Sequence, residues 1–276
     1  MSLDTKAMRR LVLRHSKRAN VGHIGSNLCV VEILAALFGG AMRISSPDDP
    51  DRDRFVLSKG HAALALYTAL VLKGWLPEEA LDRFCGDDTL LGIHPERALT
   101  GIDFCAGSLG HGMSFAAGAA LAARMQKSAR RVFCLISDAE CNEGSVWETA
   151  MFAGHHRLGN LRVVIDLNGQ QALGLTRDIS DSSNMAQRWE AFGWQASSVD
   201  GHSLEELTEV LAQPDCAEGA PRVVLARTVM GRGVPFMEQG ISVSRPQLAV
   251  QPVNWHYLPM TDLEYDLALA AVEESE

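Results

Sequence analysis

The sequence predicts an α/β fold in which helices flank a parallel sheet. An apolar, β-branched run over residues 132–136 ends at Asp138, and a stretch with helical spacing of apolar residues follows over 144–158. A second apolar run, 161–167, then ends at Asn168. Because a crossover between parallel strands is right-handed, this strand–helix–strand order places both strand ends on one edge of a parallel sheet.

Helices and strands are predicted in order along the rest of the chain from the same periodicities. The basic, amphipathic N-terminal stretch predicts the first helix, and Ser26 and Asn27 are predicted to cap the second, a largely buried one. An exposed acidic loop is expected before the next strand. The predicted order is a helix over 3–20, a helix over 30–39, a loop over 45–54, a strand leading into a helix that opens at His61, a helix over 188–192, and a strand–helix–strand unit over 195–200, 203–211 and 222–229.

Length and composition define the class of protein. A chain of 276 residues with 47% hydrophobic residues can bury one large core, and we expect a single domain over 1–276 with an extension from about 240. No apolar run is expected to reach the ~18–20 residues that span a bilayer, and no secretory signal is expected. The net charge of −9 argues against nucleic acid as a partner. Six scattered cysteines without CxxC pairing indicate reduced thiols and a cytoplasmic protein.

Asp138 and Asn168 carry the first functional hypothesis. In open α/β sheets, ligands bind at the carboxyl ends of the strands, where both residues are expected. One carboxylate, one amide oxygen and a nearby turn carbonyl suit Mg²⁺, which takes its remaining ligands from phosphates and water. The residues therefore suggest a metal–diphosphate site. The alternative is that Asp138 is a helix cap and Asn168 a turn residue.

The same stretch resembles the thiamine-diphosphate motif of transketolases, which runs from Gly-Asp-Gly to an Asn further along the chain. Asp138 and Asn168 occupy the positions of two Mg²⁺ ligands in that motif, and Gln170 falls where the family uses a backbone carbonyl as the third. Ser137 and Ala139 replace the flanking glycines, and Ala139 is expected to contact the cofactor. The resemblance thus implies thiamine diphosphate and Mg²⁺ as cofactors.

Four histidines lie in segments that are similar to transketolase motifs. The segments are GHIG with His23, RFVLSKGHA with His61, LLGIHPE with His94, and a Trp-His pair with His256. The resemblance implies that His61 contacts cofactor and substrate, and that the others line the substrate channel, so all four should meet in one cleft. Taken alone, His23 is equally well explained as a solvated loop histidine, and His61 as a histidine in a helix-cap region. The segment 240–253 before the Trp-His pair is longer than in the family.

A glycine-rich turn and one acid complete the set of candidate site residues. The turn GSLGHGM resembles the family segment that contacts the thiazolium and diphosphate, here through Gly107 and Leu109, with His111 where glutamine is typical. Glu143 matches a family acid in a carboxylate network that reaches across a subunit interface. Its alternative role is that of a first-turn helix acid favoured by the helix dipole.

The motifs follow one another along nearly the whole chain, and together they resemble the N-terminal, diphosphate-binding half of a split transketolase. The family takes its pyrimidine pocket from a following domain, so a C-terminal transketolase subunit is the expected partner, in a heterotetramer. The implied reaction transfers a ketol unit from a ketose, or ketose phosphate, to an aldehyde. Two alternatives stay open: a thiamine-diphosphate carboligase of specialised metabolism with a non-sugar donor or acceptor, and a non-catalytic subunit with the same fold.

Overall fold

The computed structural model describes residues 3–180, 182–216, 218–245 and 253–274. Its centre is a parallel sheet of five strands with helices on both faces, which confirms the predicted fold class. The strands are β1 Arg54–Leu57, β2 Val132–Ser137, β3 Leu161–Leu167, β6 Gln195–Asp200 and β7 Arg222–Arg227, in the spatial order β1-β2-β3-β7-β6, and a small antiparallel hairpin consists of β4 Gln170–Gln171 and β5 Gly174–Leu175.

Helices precede, connect and follow these strands. They are α1 Thr5–Ala19, α2 Ile24–Leu28, α3 Val31–Ala36, α4 Ala63–Leu72, α5 His111–Met125, α6 Gly144–His155, α7 Thr176–Ile179, α8 Met185–Ala191, α9 Leu204–Ala212, α10 Pro235–Glu238, α11 Asn254–Tyr257 and α12 Asp262–Glu274. Short 3-10 helices cover Gly60–Ala62, Glu78–Arg83 and Ala139–Asn142, and one π-helical turn covers Leu37–Ala41.

The sheet separates two apolar layers. Side chains of β2 alternate between them: Phe133 and Leu135 pack with helices α1 to α4, whereas Val132, Cys134 and Ile136 pack with α5 and α6. All six residues of β2 are buried, as expected for a parallel strand that is covered on both faces. Alternation with a period of two therefore tells the two layers apart, although the sequence of the strand is uniformly apolar.

The register of the sheet brings three chain segments to one edge. Leu57 of β1 lies opposite Leu135, and Ser137 of β2 lies opposite Asp166 of β3. The residues that follow each strand, including Asp138 and Asn168, therefore leave the sheet at the same carboxyl edge. The prediction that Asp138 and Asn168 lie at one edge of the sheet is therefore confirmed.

The second predicted helix begins where expected, at Val31, but its predicted cap is wrong. Ser26 and Asn27 lie inside α2, which follows His23, so they do not cap a helix over 30–39. The buried Asn27 side chain makes tertiary contacts instead: Nδ2 donates to the carbonyl oxygens of His23 at 2.8 Å and His61 at 3.3 Å, and Oδ1 accepts from Ala65 N at 2.9 Å. Capping preference is local, and here long-range hydrogen bonds outweigh it.

Two further predictions need correction. The loop over 45–54 is not exposed throughout, because the salt bridge between Arg52 and Asp103 and the contacts of Asp53 with Arg131 bury Arg52 and Asp53. The helix predicted over 188–192 begins earlier, at Met185, and ends at Ala191.

One stretch of the chain is long and apolar enough to span a bilayer, so the expectation that none would be is also wrong. The helical residues Ile24–Ala41 have a mean hydropathy of 1.7 over 18 residues. In this fold 89% of that stretch is buried inside the molecule, where it forms much of the layer beneath α1. The core helix of a soluble protein meets the same criterion.

The C-terminal segment packs onto the main core. Trp255 is fully buried, and its Nε1 donates to Ile241 O at 2.9 Å, while Ala268 and Val272 of α12 belong to the same apolar layer as α1. Residues 246–252 of the predicted longer link lie outside the described part of the chain.

Candidate active site

Three imidazoles from distant parts of the chain meet above the carboxyl edge of the sheet. The ring centroid of His23 lies 5.3 Å from that of His61 and 5.0 Å from that of His256, and the rings of His61 and His256 are 5.6 Å apart. His23 is held by its own backbone, since its N–H donates to His256 O at 3.0 Å. The predicted proximity of these three residues is confirmed, while their roles stay predictions.

His94 lies beside this group, against the glycine-rich turn. A Cβ on Gly60 would lie 3.1 Å from His94 Cδ2, and one on Gly107 would lie 4.0 Å from His94 Cγ. The buried Tyr67 holds the loop that carries His94, because its hydroxyl donates to the carbonyl oxygens of Gly92 and His94 at 3.1 Å. The structure thus places His94 next to His61, as its motif predicted.

Burial keeps these imidazoles neutral near pH 7. It lowers the pKa of His23 and His94, lowers that of His61 well below its ordinary value, and lowers that of His256 to about 4. Neighbouring rings also disfavour a charge on His61 and His256. Nδ1 of His23 and Nδ1 of His256 are buried without a hydrogen-bond partner within the described chain. The group therefore offers neutral donors and acceptors to a ligand.

Asp138 begins the turn after β2 and is 2% exposed. Its Oδ1 accepts from Ala139 N at 2.8 Å, and its Oδ2 accepts from Gly169 N at 3.2 Å and Thr176 Oγ1 at 2.7 Å. Burial raises the pKa of this carboxyl to about 6, and the nearby charge of Asp166 acts in the same direction. A bound cation would supply a compensating positive charge.

Asn168 is oriented by two hydrogen bonds. Its Nδ2 donates to Asp166 Oδ2 at 2.8 Å, and its Oδ1 accepts from Gln170 N at 2.9 Å, which leaves that oxygen with one free lone pair. Neither Ser137 nor Ala139, which replace glycines of the motif, has a positive φ. The turn therefore forms without backbone strain at the two substituted positions.

A buried ion pair beneath Asn168 was missed by the sequence reasoning. The ammonium group of Lys59 contacts Asp166, and both side chains are fully buried. Burial opposes both charges, but the pair raises the pKa of Lys59 and lowers that of Asp166. Cys29 Sγ donates to Asp166 at 3.2 Å, and the hydroxyl of Thr228 donates to the same carboxylate. The sequence did contain a signal for this ion pair: Asp166 lies within the apolar strand β3, and a buried acid is seldom without a charged or polar partner.

The remaining candidates lie at the rim. Gly107 is exposed and Leu109 is half-buried, in the turn beside His94. Glu143 is exposed in this chain and makes no side-chain cap of α6. It lies close to the turn nevertheless, because a Cβ on Gly110 would lie 2.8 Å from Glu143 Cβ. A network across an interface stays a prediction for Glu143.

Comparison with known proteins identifies the family. The model of the family described as transketolase, thiamine diphosphate binding domain, matches residues 2–254. The chain belongs to the transketolase family. It is 42% identical over 238 residues to the 6-deoxy-6-sulfo-D-fructose transketolase subunit SqwG of Clostridium sp. (strain MSTE9), covering 85% of this chain and 86% of that one. It is 33% identical over 276 residues to an apulose-4-phosphate transketolase subunit of Phocaeicola vulgatus, covering 99% and 94%.

Solved transketolase structures share the fold. The complex of Pichia stipitis transketolase with sedoheptulose-7-phosphate superposes with a TM-score of 0.84 at 27% identity, over 98% of this chain and 40% of that one. The present chain therefore spans well under half the length of that transketolase. It corresponds in length to the two subunits named above, which supports a thiamine-diphosphate-dependent transferase that is built from separate subunits.

The edge of the sheet fits the cofactor of a transketolase. In the described part of the chain, no three His, Cys, Asp or Glu side chains are grouped so as to hold a metal ion alone. A cation at Asp138 and Asn168 would thus need further oxygen ligands, which a diphosphate provides. The exposed Gly107 beside His94 lets a ligand approach the turn backbone closely.

The neutral histidines predict a loss of stability in acid. The pKa of His256 is about 6.5 in the unfolded chain, whereas burial lowers it to about 4 in the folded chain. The unfolded chain therefore binds more protons in this window, so the stabilisation is present above pH 6.5 and is lost as the pH falls toward 4. Between pH 7 and pH 5, His256 alone should remove about 2 kcal/mol from the free energy of unfolding.

Urea denaturation of the wild-type chain and of His256→Asn at both pH values measures this difference. Asp138, with its raised pKa, contributes with the opposite sign between pH 3.8 and about 6, but it does so equally in both proteins. The variant should lose less stability on acidification. Equal losses would show that His256 is protonated in the folded chain.

Proposed function

We propose that this chain is the N-terminal subunit of a heteromeric transketolase-like enzyme. It binds the diphosphate of thiamine diphosphate through Mg²⁺ and takes part in transferring a two-carbon ketol unit from a ketose to an aldehyde. The observation that supports this proposal best is the arrangement of the site. The Lys59–Asp166 pair joins the Asp138–Asn168 edge to the neutral imidazoles. Asp166 accepts a hydrogen bond from Asn168, and Lys59 precedes His61 by two residues.

Each of the candidate ligands and histidines has a definite task in this proposal. Asp138, the amide oxygen of Asn168 and the carbonyl of Gln170 would hold Mg²⁺ and so anchor the diphosphate. When bound, thiamine diphosphate supplies the carbon centre that accepts the ketol unit. His23, His61, His94 and His256 would donate hydrogen bonds to substrate oxygens and exchange protons with its hydroxyl groups. Their neutral state at pH 7 leaves each ring with one donor and one acceptor.

The other half of the cofactor pocket would come from a C-terminal transketolase subunit. Helices α5 and α6, beside the glycine-rich turn, expose a row of large apolar side chains that are 40% to 77% exposed. The row consists of Phe115, Met125, Met151 and Phe152. Apolar surface of this kind is normally covered by a partner. We propose that the partner covers it in a heterotetramer with two copies of each subunit, and that Glu143 lies at this interface.

The names of two relatives support a proposal for the substrate class. SqwG is named for a sulfonated ketose, and the Phocaeicola vulgatus subunit for a ketose phosphate. We therefore propose a ketose with an anionic terminal group as donor and an aldehyde as acceptor. The six free cysteines, half of them buried, support a reducing compartment and hence the cytoplasm as location.

A donor screen tests the proposed reaction. The chain, combined with its partner subunit, thiamine diphosphate and Mg²⁺, is assayed with a ketose phosphate, a sulfonated ketose and pyruvate, each with aldehyde acceptors. Turnover of an anionic ketose supports the proposal. Turnover of pyruvate alone would replace it by the carboligase alternative, for which His111 and the longer 240–253 segment are the sequence departures.

Replacing His61 by alanine should lower kcat/KM of the assembled enzyme by about 100-fold or more, the usual contribution of a positioned proton donor. His202→Ala is the matched control: His202 also has a largely buried side chain, but it pairs with Glu32 at 3.0 Å, away from the three imidazoles. The control should lower thermal stability and leave kcat/KM of the folded complex unchanged. Equal activity of the two variants would contradict a role of His61 in catalysis.

A further inference from the structure

A second buried acid, Glu140, lies under the site and has no task in the proposed mechanism. It is 0% exposed and belongs to the short 3-10 helix Ala139–Asn142 that follows β2. It has no cation in hydrogen-bond or salt-bridge contact in the described part of the chain, and burial raises its pKa. A carboxylate held in this way is costly to bury, so its contacts need an explanation.

The contacts of Glu140 join three separate segments of the site. Oε1 accepts from Ser58 Oγ at 2.6 Å and from Gly110 N at 2.8 Å, and Oε2 accepts from Ser137 N at 3.1 Å. Ser58 follows β1, Gly110 belongs to the glycine-rich turn, and Ser137 ends β2. All three partners are donors, which matches an ionised carboxylate that accepts at both oxygens.

The turn is packed so closely that its position depends on these contacts. A Cβ on Gly110, which has φ 82°, would lie 2.6 Å from Ser145 Oγ, and a Cβ on Gly112 would lie 2.6 Å from Ser58 Oγ. Ser145 Oγ in turn donates to Gly110 O at 3.3 Å. The backbone of the turn thus has little freedom on either side, and the bond from Gly110 N to Glu140 fixes it to the strand ends.

We propose that Glu140 is a positioning residue that holds the glycine-rich turn, residues 107–110, against the carboxyl edge of the sheet in the geometry that binds the cofactor. The effect on the cofactor rests on the proposed function, whereas the effect on the turn does not. Glu140 acts through Gly110 and Ser58, and it touches neither cofactor nor substrate.

Amide hydrogen exchange and cofactor affinity in Glu140→Gln test the proposal. Glutamine keeps the shape but replaces one acceptor by an NH₂ group, which must then face an N–H or O–H donor. In the free chain, the Gly110 amide should exchange about tenfold faster than in the wild type, as expected when a buried hydrogen bond is lost. In the complex with the partner subunit, the Kd for thiamine diphosphate should rise about tenfold.

Glu264→Gln is the matched control. Glu264 is also 0% exposed and accepts from Ser242 Oγ at 2.5 Å and Thr261 N at 3.0 Å, near the C-terminus; unlike Glu140, it also pairs with Arg245 at 3.0 Å. Its substitution should change neither the Gly110 amide nor the Kd. A similar change in both variants would overturn the proposal, because it would show a general loss of stability. An unchanged exchange rate of the Gly110 amide in Glu140→Gln would also overturn it, because the turn would then keep its position without Glu140.

Two further arms keep the test decisive. If Glu140→Gln does not fold, Ser58→Ala takes its place, because it removes only one of the three donors to Glu140. The Gly110 amide should then exchange faster than in the wild type, by less than tenfold. An unchanged exchange rate would overturn the proposal. If the wild-type complex fails to bind thiamine diphosphate, the proposed function is refuted, and the exchange rate of Gly110 in the free chain still decides whether Glu140 holds the turn.

Discussion

Replacing Asp138 by alanine should abolish the Mg²⁺-dependent retention of thiamine diphosphate. The variant removes the one carboxylate at the proposed metal position, and the diphosphate then loses its bridging ion. We expect the affinity of the assembled complex to fall by at least roughly 100-fold, since residues one shell further out already change metal affinity by 10–100-fold. Asn168→Ala should weaken binding in the same direction.

Calorimetry with and without Mg²⁺ measures this effect on the complex. Asp178→Ala is a suitable control, because Asp178 is an exposed aspartate on the neighbouring helix α7. The control should bind like the wild type. Unchanged cofactor affinity in both Asp138→Ala and Asn168→Ala would remove the metal assignment.

The purified chain should show no turnover on its own, even with thiamine diphosphate and Mg²⁺, and full activity should appear when the C-terminal subunit is added. The diphosphate end of the cofactor has candidate ligands in this chain, whereas the proposed C-terminal subunit would supply the pyrimidine pocket. In the chain alone, Gly107 and the apolar row on α5 and α6 are exposed to solvent. An open half-pocket of this kind cannot exclude water from the reaction.

Interface variants sharpen that test. Phe115→Lys should lower both the activity of the mixture and its affinity for the partner, because it places a charge in the apolar row on α5 and α6. Leu263→Lys is the matched control: Leu263 on α12 is 54% exposed, compared with 42% for Phe115, and lies in a different element. Turnover by the chain without any partner would contradict the split-enzyme proposal. Equal loss of partner binding in the two variants would contradict the proposed location of the interface on α5.

The fold class and the edge of the sheet with the candidate site could both be predicted from the amino-acid sequence. A buried strand, a helix and a second buried strand leave few topologies, and the right-handed crossover then puts Asp138 and Asn168 together. The histidine motifs indicated His23, His61 and His256 for a related reason: each belongs to a short segment whose residues are contiguous. These inferences depend on local periodicity or on short motifs, which a single chain displays directly.

The burial of polar groups and their contacts, by contrast, became known only from the folded chain. Lys59 and Asp166 are separated by 107 residues and Glu140 and Ser58 by 82, so no local pattern reveals either pair. The same holds for Asn27, which a capping rule assigned to a helix start but which bonds to the segment around His61. Burial also decides chemistry, since it neutralises His61, while Glu143 stays exposed at the start of α6. Desolvation and long-range hydrogen bonds depend on the packing of the whole chain, and that packing is not contained in any segment of the sequence.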